Sequence, residues 1–175
     1  IGCAYQEKHR AKAGKVASIT VENFDGYAGD GRTLKQVFTD VPQRVLAVSE
    51  PVVDDLIFLG VQDKIIGISA CYSKNFAPYE TEYAKFARLT YGSGYPSKEA
   101  VLALQPDLIV SWGSLFGESA LGSVEYWHNK GIHTYVMTNT VPTRATGRRK
   151  VEYIVNDLQQ LAKIFRVEEK AQKKI

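Results

Sequence analysis

The chain has 175 residues, and its 22 lysine and arginine residues against 19 aspartate and glutamate residues give a formal charge of +3. Charges of both signs are mixed through the middle of the chain, without the basic stripe of a nucleic-acid-binding protein, which excludes that class. A composition of 45% hydrophobic and 23% charged residues is typical of a globular fold, and no apolar run approaches the roughly 18–20 residues that cross a membrane.

The amino terminus begins with Ile1-Gly2-Cys3-Ala4 and continues into a polar, lysine-rich stretch without periodicity. These four residues look like the end of a bacterial lipobox, in which Cys3 is lipidated. The alternative is a chance cysteine near a frayed terminus. We therefore expect residues 1–16 to form a tether after a lipidated Cys3, which would hold the protein at the cell surface or in the periplasm.

Two alternating runs, 18–22 and 33–38, flank a stretch at 25–31 that is dense in glycine and aspartate. This pattern predicts a small β-hairpin ahead of the main fold.

From Pro42 onward, short apolar runs alternate with helical patterns. The predicted strands are 44–48, 65–69, 107–111 and 132–137. The predicted helices are 52–59, 97–104, 119–129 and 151–165, with a shorter one around 81–87. Ser49 or Glu50 is available to cap the first of these helices. The alternation predicts an α/β fold, with an open, mainly parallel sheet flanked by helices on both faces.

Ligands bind beyond the carboxyl ends of the strands in such a sheet. The residues that we expect to bind a ligand there are Ser49, Glu50, Tyr72, Tyr91, Tyr95, Trp112, Asn139 and Arg144. Aromatic side chains can stack on a flat or chelated ligand, and an arginine can face an anionic one. The alternatives are that the aromatic side chains pack as core, and that Arg144, like Arg148 and Arg149, begins a solvated helix.

Catalytic and metal-binding patterns are missing from the sequence. It contains no G-x-S-x-G elbow, no G-x-x-x-x-G-K-[ST] loop and no G-x-G-x-x-G fingerprint after a strand. Cys71 could ligate a soft metal, but a lone buried cysteine more often packs as a small hydrophobe. His9, His128 and His133 lack the spacing of a zinc site. We expect no enzymatic activity, no bound metal and no intrinsic cofactor.

Three segments, 42–49, 56–68 and 94–110, together resemble the opening of the iron-siderophore, haem and vitamin B12 binding proteins of ABC importers. The most specific element follows the helix that carries Glu99, and it is Leu104-Gln105-Pro106-Asp107-Leu108-Ile109. The resemblance covers residues 33–175.

The resemblance implies two α/β lobes that are joined by a long helix and clamp a ligand between them. Residues 17–165 would then be the amino-terminal lobe, residues 166–175 would begin the connecting helix, and the second lobe would be absent. It also implies that Glu99 docks onto a membrane permease, that the ligand is a ferric siderophore, haem or cobalamin, and that the protein is a monomer.

The function that we expect is capture of such a metal chelate outside the cytoplasm and its delivery to an ABC permease. Two alternatives remain open. One is a doubly wound enzyme domain acting on a nucleotide or small metabolite, and the other is an adhesive lipoprotein domain without a small ligand.

Overall fold

The computed structural model describes residues 17–26, 30–90, 94–141 and 147–175. Its strands are β1 Ile19–Phe24, β2 Thr33–Phe38, β3 Val45–Val48, β4 Ile65–Ser69, β5 Leu108–Trp112 and β6 His133–Met137. Its helices are α1 Glu50–Phe58, α2 Glu80–Tyr83, α3 Lys98–Leu104, α4 Val124–Asn129, α5 Val151–Phe165 and α6 Glu168–Gln172.

Four parallel strands form the main sheet in the order β4-β3-β5-β6. Every residue of β3 is buried, because consecutive side chains point to opposite faces and both faces are covered. Val45 and Ala47 belong to one core, with α1 and α5, whereas Leu46 and Val48 belong to a second core, with α3 and α4. The predicted α/β class, with a parallel sheet between helices, is confirmed.

Helix α5 shows how the pattern of apolar residues sets the packing. Leu158, Leu161, Ala162 and Phe165 recur at helical spacing and are buried in the first core. The helix ends at Arg166, which has a left-handed φ of 57°, and the short α6 follows. The expectation that residues 166–175 begin an inter-lobe helix stays a prediction.

The predicted hairpin, β1 with β2, is confirmed and lies against the edge of the main sheet. The Asn23 side chain donates to the Val136 carbonyl (3.0 Å) and accepts from the Val136 N–H (2.7 Å). Gln36 makes the same two contacts with Thr134, at 2.8 and 3.1 Å. The two side-chain amides thus pair with the backbone N–H and carbonyl groups on the outer side of β6, as a neighbouring strand would. This pairing protects the edge of the sheet from pairing with another chain.

The segment around Asp107, which is the most specific part of the sequence resemblance, has a structural role. The Asp107 carboxylate accepts from the backbone N–H groups of Gln43 (2.7 Å) and Arg44 (3.0 Å). The Arg44 guanidinium donates to the last carbonyls of α3, those of Leu104 and Gln105. These bonds fasten the end of α3 to the starts of β3 and β5, at the sheet edge opposite the strand ends.

The structure corrects two helix boundaries. The helix expected at 119–129 begins only at Val124, because the Ser123 hydroxyl caps it by accepting from the Tyr126 N–H. The helix expected around 81–87 is the single turn α2.

The tether at 1–16 lies outside the described residues. In the part of the chain that is described, no helix combines the length and apolar character needed to cross a membrane.

Candidate ligand-binding cleft

Two adjoining pockets lie at the carboxyl ends of the parallel strands. The first, here called the aromatic pocket, has a volume of about 410 Å³ and is lined by Ser49, Glu50, Pro51, Ala70, Tyr72, Ser73, Tyr95, Trp112, Ser114 and Leu115. The second, the carboxyl pocket, has about 450 Å³ and is lined by Pro51, Asp55, Trp112, Ser114, Met137, Asn139, Thr140, Arg149, Ile154 and Asp157. The two pockets adjoin at Pro51, Trp112 and Ser114, which line both, and together they are called the cleft.

Three aromatic side chains predicted from the sequence line the cleft. Tyr72, Tyr95 and Trp112 are 55%, 41% and 38% exposed, so they are not packed as core beneath the loops. Partial burial, followed by the neighbouring Tyr95, raises the pKa of Tyr72. Tyr72 therefore remains a neutral phenol at physiological pH, suited to stacking and hydrogen bonding.

Ser49 occupies the junction between β3 and α1. Its N–H donates to the Ser69 carbonyl (2.9 Å), and its own carbonyl accepts from the Val53 N–H in the first turn of α1. The sequence predicts either Ser49 or Glu50 as the cap of this helix. The Ser49 side chain does not cap it, because its oxygen has no hydrogen-bond partner. Ser49, whose buried hydroxyl has no partner, is thus one of the residues that line the aromatic pocket.

Glu50 lines the same pocket, but its carboxylate is already engaged. One oxygen accepts from the Ser73 N–H and the other from the Ser73 hydroxyl. The Tyr83 hydroxyl adds bonds to the Glu50 carbonyl and to Asp54. Glu50 therefore fastens the segment that carries Tyr72 to helix α1, and its predicted contact with a ligand stays a prediction.

The carboxyl pocket contains two acidic residues that the sequence analysis did not single out. The Asp157 side chain accepts from the Tyr135 hydroxyl and from the N–H and hydroxyl of Thr138, and burial raises its pKa to about 6. Burial, followed by the charges of Asp157 and Asp54, raises the pKa of Asp55 to about 7. Asp157 lies among the buried apolar residues of α5, and a carboxylate on such a face is the signal that could have revealed it.

The other site residues predicted from the sequence lie in different parts of the chain. Asn139 lines the carboxyl pocket, where its side-chain oxygen is buried without a partner. Glu99 lies exposed in the first turn of α3, where hydrogen bonds to its own backbone N–H and to Ser97 lower its pKa. Cys3, Tyr91 and Arg144 lie outside the described residues.

The cysteine and histidine residues that were weighed as metal ligands do not line either pocket. Burial, followed by the charge of Glu50, raises the pKa of the Cys71 thiol to about 12, and the thiol donates to the Ser69 carbonyl. His128 contacts the Thr134 hydroxyl, and His133 stacks on Phe38. Across 17–26, 30–90, 94–141 and 147–175, no three or more histidine, cysteine or acidic side chains converge to hold a metal ion.

A family model described as periplasmic binding protein matches residues 45–175 of the chain. None of the curated proteins with which the chain was compared matches it.

Solved structures of other proteins have a similar fold. A periplasmic binding protein from Veillonella parvula DSM 2008 is 23% identical, with a TM-score of 0.76 over 89% of this chain and 48% of that chain. An ABC-type Fe3+-hydroxamate transport system from Saccharomonospora viridis DSM 43017 is 19% identical, with a TM-score of 0.66 over 89% and 51%. The heme binding protein HmuT is 22% identical, with a TM-score of 0.58 over 89% and 43%. The chain spans about half the length of these structures.

Proposed function

The chain belongs to the periplasmic binding protein family, and we propose that it forms the amino-terminal lobe of the solute-binding component of an ABC importer. The sequence resemblance over residues 33–175 is in accord with that membership. The family is one of binding proteins, and the cleft of this chain is lined by side chains suited to holding a ligand. In this proposal residues 17–165 supply one wall of the site and a second lobe supplies the other.

The observation that carries the proposal is the composition of the cleft. Tyr72 and Trp112 present exposed rings at the carboxyl ends of β4 and β5, and Tyr95 presents its ring from the segment before α3. Serine, threonine and asparagine residues also line the cleft. Rings of this kind give a large contact area at a small cost in conformational entropy, and the hydroxyl groups fix the orientation of a bound molecule.

The ligand that we propose is a metal chelate, either a ferric siderophore or haem, with a corrinoid as the further member of the class. Two of the similar structures are named for Fe3+-hydroxamate transport and for heme binding. The aromatic lining of the cleft and the family membership support this class of ligand.

Delivery to a permease requires an exposed contact outside the cleft. We assign this contact to Glu99, whose carboxylate is exposed in the first turn of α3. We further propose that the protein acts as a monomer outside the cytoplasm, held to the membrane by a lipid on Cys3.

The test is a titration of the full-length protein with a ferric trihydroxamate, with haem and with cobalamin. At least one of the three should bind saturably, and Trp112→Ala should weaken that binding about tenfold, as expected for a central aromatic contact. Tyr126→Ala is the matched control, because Tyr126 is an aromatic residue on α4, away from the cleft. Absence of saturable binding to all three ligands would refute the proposal.

A further inference from the structure

Ser49 lines the cleft and carries an unsatisfied polar group, its buried hydroxyl. Ser49 is only 4% exposed, its oxygen has no hydrogen-bond partner, and the residue lines the aromatic pocket. A buried polar group without a partner costs free energy. A bound molecule that accepts a hydrogen bond from this hydroxyl would remove that cost.

The backbone at Ser49 carries a second cost. Its φ of 96° and ψ of 147° lie in a region that residues other than glycine rarely adopt. Glycine would adopt this conformation more easily, yet a serine stands here. Strained residues of this kind cluster at sites where a ligand is held, so the strain and the unpartnered hydroxyl point to the same role.

The charges around Ser49 decide which kind of ligand atom it can meet. Ser49 precedes the first turn of α1, a helix of 9 residues, and the partial positive charge of a helix N-terminus disfavours a cation. Glu50 is the charged residue that lines the aromatic pocket, and no lysine or arginine is among the described residues that line it. In the aromatic pocket an anionic group would meet the Glu50 carboxylate, whereas the cation among the described cleft residues, Arg149, lines the carboxyl pocket.

We propose that the Ser49 hydroxyl donates a hydrogen bond to an uncharged oxygen atom of the ligand, of the amide or hydroxamate carbonyl class. The proposal rests on the proposed function and goes further by naming the ligand group that this pocket takes. Tyr72, Tyr95 and Trp112 then surround that group, and the aromatic pocket discriminates against polyanionic chelates.

The test is the affinity of the full-length protein for a neutral ferric trihydroxamate. Ser49→Ala removes the hydroxyl and should lower the affinity about tenfold, the effect of one lost hydrogen bond in a closed site. Because the hydroxyl has no partner in the protein, its removal should leave the unfolding temperature unchanged or raise it. A trianionic ferric tricatecholate should bind the unaltered protein more weakly than the trihydroxamate does.

The matched control is Ser111→Ala. Ser111 is also buried, and its hydroxyl also lacks a partner, but it lines neither pocket of the cleft. Its replacement should leave the affinity unchanged. Ser49→Gly is a second variant that relieves the strained φ, and it should lose affinity as Ser49→Ala does.

The outcomes are distinct from those that test the proposed function. If the unaltered protein binds the trihydroxamate and Ser49→Ala binds it equally well, the assignment of Ser49 is wrong while the binding function stands. A preference for the tricatecholate would also overturn it. If the unaltered protein binds no chelate, the proposed function fails and this inference fails with it.

Discussion

At the scale of single residues, the most unusual chemistry is the pair of carboxyl groups in the second pocket. Asp157 is fully buried and receives three hydrogen bonds from Tyr135 and Thr138. Asp55 faces it from α1, and Arg149 lines the same pocket. Since two nearby carboxylates in a buried pocket repel each other, at least one of them retains its proton well above the pH at which an exposed aspartate loses it.

Asp55 should therefore make the stability of the protein depend on pH. Its pKa is about 7 in the fold, against 3.8 for an unperturbed group. Between these values the unfolded chain has released the proton while the folded chain keeps it, so the free energy of unfolding falls as the pH rises from 4 to 7. Asp55→Asn removes this cost, and at pH 8 it should raise the free energy of unfolding on the order of 2 kcal/mol.

Urea unfolding of both proteins across this pH range measures the effect. The two should be equally stable near pH 4, where the carboxyl group is protonated in the fold and half protonated in the unfolded chain, and should diverge above it. Asp63→Asn removes an exposed carboxylate and should behave like the unaltered protein. Parallel curves for Asp55→Asn and the unaltered protein would show that Asp55 ionises normally in the fold.

Sequence patterns located part of this site. Ser49, Tyr72 and Trp112 lie at or near strand ends, which are recognisable because each buried strand is an apolar run, and Tyr95 lies in the loop before a helix. Their presence at one edge was therefore predictable. Asp55 and Asp157 come from the interior of two helices that lie far apart in the sequence. Their meeting depends on how α1 and α5 pack on the sheet, which no local pattern encodes.

At the scale of elements, the hairpin β1–β2 completes the main sheet without joining it through strand pairing. The amide side chains of Asn23 and Gln36 are 3% and 5% exposed, and each bonds one N–H and one carbonyl of β6. An amide group is suited to this task because it offers one donor and one acceptor in one plane, as a peptide group does.

Asn23→Ala and Gln36→Ala should each lower the free energy of unfolding by about 2–4 kcal/mol, because each leaves two buried backbone groups unpaired. Urea unfolding measures the loss. Lys35→Ala alters the exposed face of the same hairpin and should change stability by less than about 0.5 kcal/mol. If Asn23→Ala is as stable as Lys35→Ala, the edge of β6 does not depend on these amides.

The elements were predictable to different degrees. The four parallel strands and α5 follow from apolar periodicity, because each is buried along a continuous run or face. Helix α4 begins later than its apolar spacing suggests, since Leu121 is buried from a turn outside the helix. The docking of the hairpin through Asn23 and Gln36 was not predictable, because a polar residue in an alternating strand ordinarily indicates the solvent face.

At the scale of the whole molecule, the sheet separates two cores and is open where its strands end. The side of the sheet at which the strands begin is closed by the bonds of Asp107 and Arg44, and the side at which they end carries the cleft. A single lobe contacts a ligand from one side, whereas binding sites for small molecules bury most of the surface of the ligand. In the proposed account the second lobe completes that burial.

Hydrogen exchange on the full-length protein, with and without a saturating ferric trihydroxamate, locates the ligand on this lobe directly. The account predicts slower exchange at residues 49–53, 71–73, 112–115 and 138–140, which surround the cleft, and unchanged exchange in the hairpin and in α4. Protection in the hairpin or α4, with none at the strand ends, would contradict it.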